Sequence, residues 1–309
     1  MDIKGFSLDG RLSASSLVKQ MEGAGLQATQ IGAAAKLFSK MQHEKECVKF
    51  LSFTSNMVSS GLRETFAQMC KEKMCDAIIT SIGSVEEDLM KCSGKFELGS
   101  FEMDDAQLNE KGINRIGNIL VKNAHYIKLE KTLQPFFEKE WQKQHALGRM
   151  LSPHEIIADL GATIKDENSF LYWACRNKIP VYCPAPTDGA FGLQLYFFKQ
   201  KRMGFGIDVS GDLKPLGQQV LDAEKTGALI LGGGFAKHHL LGANLLRGGL
   251  DYAVYVGTGT QYDGSLSGAR VNEAVSWGKV GRKSERVYVE CDASIALPLI
   301  MCNVLEKKK

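Results

Sequence analysis

At 309 residues, with 44% hydrophobic and 24% charged side chains, the chain has an ordinary globular composition and is long enough to bury a large core. A formal charge of +3 without a long Lys/Arg block argues against a dedicated nucleic-acid binder. No 18-residue apolar run occurs and no apolar stretch follows Met1-Asp2-Ile3-Lys4, so the expectation is a cytoplasmic protein with no membrane span or leader. The basic cluster Lys307, Lys308 and Lys309 reads as a frayed solubilising tail. Eight scattered cysteines, none in a CxxC pair, read as reduced and mostly buried thiols and support no structural zinc.

Residues 1–46 are expected to form an N-terminal helical segment, with Leu17, Val18, Met21 and Leu26 on one face and Ile31, Ala35, Leu37 and Phe38 on another. Then the pattern changes. Val48 to Phe53 is a short apolar run ending in Thr54-Ser55-Asn56, and a helical stretch follows from Leu62 to about Lys73. Asp76 to Thr80 is a second run, ending in Ser81, Gly83 and Ser84 before Glu86-Glu87. Lys128 to Gly148 is charged and reads as irregular, a plausible insertion or subdomain edge. Further runs are Ile179 to Cys183, Ala228 to Leu231, Tyr252 to Val256 and Val287 to Glu290, with a last apolar stretch to Leu305. Short continuous apolar runs alternating with helices mark strands covered on both faces, so the expected fold is α/β with a mostly parallel sheet flanked by helices. One domain over 1–309 is expected, with ligands beyond the carboxyl ends of the strands.

Several turns there carry chemistry. Gly232-Gly233-Gly234 would let backbone amides approach a pyrophosphate, and Gly257-Thr258-Gly259-Thr260 repeats the pattern with hydroxyls. Ser55, Ser59 and Ser60 form a third polar turn before a helix. Glu86 and Glu87 suit ribose hydroxyls or, equally, a charged first helical turn, while Asp188 is explained as well by an Asx turn. Asp263, Glu273 and Asp292, if they converge with Trp277, would suit a cationic amine. His238 and His239 cannot share a helical face, which argues against a two-histidine metal centre; one of them could shuttle protons or be structural. Lys279, in Ser276-Trp277-Gly278-Lys279, is a candidate Schiff-base amine if burial or nearby cations depress its pKa; a snorkelling lysine is the alternative.

From Val48 onward the chain resembles the deoxyhypusine synthase family. The resemblance runs through Thr54 to Gly61, Val85-Glu86-Glu87-Asp88, Gly112 to Asn118, Pro184 to Gly189, Gly232 to His239, Asp251 to Tyr255, Asp263 to Arg270 and Glu273 to Lys279. It implies a Rossmann-like fold, NAD as cofactor, and a homotetramer with interfacial active sites. It further implies aminobutyl transfer from spermidine, through an imine on Lys279, to a lysine of the translation initiation factor 5A precursor, with release of 1,3-diaminopropane. By motif position, Lys279 matches the nucleophile and His238 a proton-handling histidine; Glu273, Trp277 and Tyr255 match polyamine-binding positions. The dinucleotide positions match Ser55, Ser59, Ser81, Glu86, Glu87, Asp188, Thr258, Gly259, Asp263, Ser267 and Asp292, with Gly232, Gly233 and Gly234 in the supporting turn. No metal, membrane or nucleic acid is implied.

The chain departs from the family pattern at Leu193 and Leu266, where eukaryotic members carry aspartates, and at Ser81-Ile82-Gly83-Ser84 and Gly259-Thr260-Gln261. The two leucines open a second reading, a homospermidine synthase-like enzyme with putrescine or another small amine as acceptor. A non-catalytic paralogue working with an active partner is a third, opposed by the retained Lys279 and His238.

Overall fold

The computed structural model describes residues 2–306; the expected Lys307–Lys309 tail lies outside them. In chain order the elements begin with α1 (Ala14–Met21), α2 (Leu26–His43), β1 (Cys47–Phe53), α3 (Ser55–Ser59), α4 (Arg63–Lys71), β2 (Ala77–Thr80) and α5 (Ile82–Ser93). Next come β3 (Glu97–Leu98), α6 (Asp105–Glu110), β4 (Ile113–Ile116), β5 (Ile119–Lys122), α7 (Asn123–Leu147), α8 (Pro153–Thr163), α9 (Phe170–Arg176), β6 (Val181–Tyr182) and α10 (Ala190–Lys201). The last are α11 (Leu213–Leu221), β7 (Lys225–Leu231), α12 (Gly234–Asn244), β8 (Leu250–Gly257), α13 (Val271–Ser276), β9 (Val280–Glu290) and α14 (Ala293–Glu306).

A six-stranded sheet has the order β6-β2-β1-β7-β8-β9, with β1, β7, β8 and β9 paired in parallel. This is the α/β fold expected from the apolar runs. The strand order reverses between β1 and β7, and in open sheets of this kind ligands bind beyond the carboxyl ends at such a switch.

The described residues divide into two compact units. The first comprises 2–53, Met74–Ile79 and 215–306. Its strands β7 and β8 are buried almost throughout, consistent with the near-continuous apolar sequence of a sheet covered on both faces. Helix α2 buries Ala34, Ala35 and Phe38 and packs on α14 and β9, so the N-terminal helices belong to this core. Strand β9 begins seven residues before the apolar run that announced it, because Arg282, Lys283 and Glu285 occupy exposed positions at the sheet's edge.

The second unit comprises Thr54–Lys73 and Thr80–Lys214. It holds a small antiparallel sheet, β3-β5-β4, which sequence patterning did not indicate. The stretch expected to be irregular is instead α7, one helix of 25 residues. Most of its charged residues face solvent, while His125, Leu129, Leu133, Phe136, Phe137, Glu140 and Gln144 recur every three or four positions and are buried. Phe137 stacks edge-on to Phe191 at 5.1 Å and contacts Phe198 and Phe205 at 5.7 Å each, which anchors α7 on α10. None of the eight cysteines forms a disulfide. Cys47, Cys70, Cys75 and Cys183 are buried, Cys175 and Cys291 half-buried, and Cys92 and Cys302 exposed, so burial holds for half of them rather than most.

Candidate active site

Within the first unit, α13 ends at Ser276, and Gly278 takes a left-handed conformation (φ 69°) that a side chain would strain. The Gly278 amide donates to the Val275 carbonyl and the Lys279 amide to that of Ala274. This closing turn reverses the backbone and delivers Lys279 at the head of β9. Glu273 and Trp277 lie four residues apart and therefore on one face. Lys279 Nζ stands 5.2 Å from the centroid of the Trp277 ring, within cation–π range.

These side chains line a cavity of about 310 Å³ together with His238 and Lys237 from α12, Tyr255 from β8, and Leu266 and Arg270 from the following loop. Its size falls at the lower end for small-molecule sites. Tyr255 is buried and its hydroxyl has no protein partner, so the cavity retains an unused hydrogen-bonding group at its wall. Burial raises the pKa of that phenol, which stays protonated. His239, the neighbour of His238, is not among the lining residues, as the helical geometry requires. All five residues assigned to chemistry and to polyamine binding from sequence thus meet in one cavity.

The depth of the amine differs from expectation. Lys279 is half-buried and Trp277 is 66% exposed, whereas the deeply buried amine is Lys237, 2% exposed. Burial lowers the pKa of Lys237 to about 8, against the opposing pull of Glu273. Sequence reasoning passed over Lys237, although apolar Ala236, Leu240 and Leu241 around it signal a helix that buries this face.

The glycine turns of this unit come together. Gly232 and Gly234 have φ of 77° and 71°, and α12 starts there without a side-chain cap, leaving its first amides available to an anion. A Cβ on Gly233 would stand 2.4 Å from Ser267 Cα, and one on Gly259 2.9 Å from the Ser267 carbonyl, so Ser267 is seated between the two turns. Thr258 is exposed beside them. Asp263 and Asp292 do not join Glu273 in the cavity. Asp263 accepts from the Ser265 amide at 2.8 Å, and Asp292 accepts from the Ser294 amide at 2.7 Å at the start of α14. Short polar side chains at such positions satisfy local amides before they reach a distant ligand.

In the second unit the remaining residues gather around α3, α5 and the start of α10. Ser59 donates to Glu87 Oε2. Glu86 Oε2 accepts the Phe191 amide at 2.7 Å, and Asp188 lies close enough to act on its charge. Ser55 packs against Gly83, where a Cβ would come within 2.8 Å of it, and Ser81 Oγ is 3.4 Å from Ser84 Oγ. Burial pushes Glu87 up to about 8, partly opposed by Ser59, and raises Glu86 in the same direction. Asp88, the next acid along, is fully buried and engages Arg63 Nε at 2.6 Å, Ser169 Oγ at 2.5 Å and the Leu171 amide at 3.1 Å. Arg63 also reaches Asp166 at 2.8 Å.

Comparison with known proteins is consistent with this geometry. The deoxyhypusine synthase family model matches residues 16–304, and the chain belongs to that family, whose activity is aminobutyl transfer. It is 39% identical to a deoxyhypusine synthase of Senecio vernalis, over 99% of this chain and 90% of the relative. It is 40% identical to homospermidine synthase 2 of the same plant, again over 99% and 90%. Among solved structures, an Entamoeba histolytica protein provisionally described as a deoxyhypusine synthase superposes with a TM-score of 0.73, at 28% identity and over 99% of this chain and 98% of that one.

Proposed function

We propose that the chain is a deoxyhypusine synthase that moves the aminobutyl group of spermidine, through an imine on Lys279, to a lysine of the translation initiation factor 5A precursor and releases 1,3-diaminopropane. The observation that carries this is the convergence of Lys279, His238, Glu273, Trp277 and Tyr255 on one cavity. Glu273 and the Trp277 face supply the carboxylate and ring quadrupole that hold a cationic amine. Lys279 must lose a proton before its lone pair attacks an imine carbon, and His238 is the cavity's group suited to take it and return it to the departing amine. Attack joins Lys279 Nζ to the imine carbon, and collapse breaks the bond from that carbon to the diaminopropane nitrogen. The acceptor lysine then displaces Lys279 in the same way.

NAD, when bound, supplies the hydride acceptor for the first oxidation and the donor for the last reduction. The uncapped start of α12 with Gly232, Gly233 and Gly234 suits its pyrophosphate. Ser55, Ser59, Ser81, Glu86, Glu87, Asp188, Thr258, Gly259, Asp263, Ser267 and Asp292 are the further positions assigned to it. The Glu87 carboxyl, protonated by burial, would act as a hydrogen-bond donor as well as an acceptor. A homotetramer in the cytoplasm completes this reading.

Incubation with NAD, labelled spermidine and the precursor factor should place label on the factor. No label from a folded, NAD-binding preparation overturns the assignment. A homospermidine synthase activity is the second reading, favoured by Leu266, which lines the cavity with an apolar side chain. It predicts homospermidine from spermidine and putrescine with no protein acceptor present.

A further inference from the structure

Among the described residues Lys237 is the only buried lysine, and the reaction proposed above assigns it nothing. Its Nζ donates to the Leu266 carbonyl at 2.9 Å and to the Ala269 carbonyl at 2.7 Å. The same nitrogen stands 4.8 Å from the Tyr255 ring centroid. Two carbonyls and an aromatic face account for the three N–H bonds of an ammonium. With its hydrogens so engaged, this nitrogen has no lone pair directed at the cavity, which distinguishes it from Lys279.

The two carbonyls belong to the loop that brings Leu266, Ala269 and Arg270 to the cavity. Ser267 and Gly268 pack closely against the neighbouring glycine turns, and Arg270 lies 4.0 Å from the Tyr288 ring centroid, but the first half of the loop is thinly held. Gln261, Tyr262, Asp263, Gly264 and Ser265 are exposed, and the Asp263–Ser265 and Gly264–Gln261 hydrogen bonds are local. The Arg270–Glu290 pair is partly exposed, at 26% and 50%, and so contributes little. The buried tie runs through Lys237. A charge-assisted hydrogen bond away from water is stronger than these surface contacts, and removing the donor would leave the Ala269 carbonyl desolvated and unpaired and the Leu266 carbonyl with the Ala269 amide alone.

We propose that Lys237 is a positioning residue: as an ammonium it fastens the Leu266 and Ala269 carbonyls to α12, holds residues 263–270 as a fixed wall of the Lys279 cavity, and thereby sets polyamine affinity. The effect on affinity rests on the cavity being a polyamine site; the fastening of the loop does not. Glu273 on α13 favours the charged form, and burial and Arg270 disfavour it, so the tie weakens as pH rises through about 8.

The test uses K237M, close in length but uncharged, and K237R, which keeps the charge. K237M is expected to raise amide hydrogen exchange in 260–270 about tenfold while β7 and β8 keep wild-type protection. It should also raise the KM for spermidine about tenfold, with the saturating rate of borohydride-trapped adduct on Lys279 changed less than about threefold. K237R should recover more than half of each effect. Unchanged exchange, a fall in saturating rate at unchanged KM, or an adduct mapped to Lys237 itself would each overturn the proposal. If K237M does not fold, wild-type exchange in the same segment, corrected for the intrinsic pH dependence, must rise through about pH 8, and a flat profile overturns the tie. A wild type that forms no adduct while K237M still loosens the loop supports the tie and counts against the proposed transfer reaction.

Discussion

The cavity of the first unit and the acid cluster of the second are built on opposite principles. Around Lys279 the polar groups are under-satisfied: Trp277 and Glu273 are exposed, and Tyr255 carries a buried hydroxyl with no partner. Around α5 the acids are buried and spoken for. Asp88 is enclosed by Arg63, Ser169 and the Leu171 amide, Glu87 meets Ser59, and Glu86 meets the Phe191 amide. Exposed polar groups such as Glu273 and the Trp277 indole are free to exchange water for a ligand. Satisfied buried groups hold geometry, and their ligand capacity is what remains after local bonding. Three consecutive acids on one helix therefore do different work, because each step of about 100° turns the side chain toward a different neighbour.

That contrast can be broken at either end. The largest effect is expected from Lys279→Ala: trapped adduct and transfer should fall by about a thousandfold or more, while NAD binding by calorimetry stays within about threefold. An adduct on another lysine reverses the role assignment. Next in size is Asp88→Ala, which removes the fully buried partner of the Arg63 guanidinium, leaves it the partly exposed Asp166, and should lower unfolding free energy in urea by about 3 kcal/mol. A loss below about 1 kcal/mol would show that the Arg63 network is dispensable.

Glu87 sharpens the comparison through pH. Its folded pKa is raised above the unfolded value near 4.5, so between about pH 4.5 and 8 the folded state holds a proton that the unfolded state has released. This group's contribution is fully present below that window and is lost as pH rises through it. Glu87→Gln keeps the shape and the donor, and should flatten the decline in thermal midpoint between pH 5 and 8. A wild-type slope unchanged by the substitution counts against a protonated Glu87. The smallest effect is expected from Trp277→Leu, since an exposed cation–π contact contributes about 0.5–1 kcal/mol. Spermidine KM should rise about two- to fivefold at nearly constant saturating rate, and a large fall in that rate would give the indole a part in the chemistry itself.

Much of the fold was legible because β1, β2, β7 and β8 are short, mainly apolar runs with glycine or hydroxyl residues at or just beyond their ends. The eleven-residue β9 was legible only at Val287–Glu290, since its first half is a charged edge whose pairing with β8 comes from the sheet and not from its own pattern. Helix α7 was missed because its apolar stripe is diluted by the lysines and glutamates of a wide solvent face. In the site, Glu273, Trp277 and Lys279 were legible as candidate residue types in one short segment, but the turn after α13 is what brings them to one cavity. Asp263 and Asp292 do not converge on that cavity, since loop acids near strand ends carry the same signature whether they cap an amide or bind a ligand.

By itself, the sequence determined the α/β alternation, the glycine turns after the strands and the residue types that converge on the cavity, since periodicity and backbone freedom are local properties of the chain. Which amine is buried was decided only by tertiary structure. Lys237 and Lys279 are both lysines in family-matched blocks, but solvent access depends on the loop that folds over one and leaves the other at the rim. The division of Glu86, Glu87 and Asp88 among amide, hydroxyl and guanidinium was settled in the same way, by neighbours up to 105 residues distant in the chain.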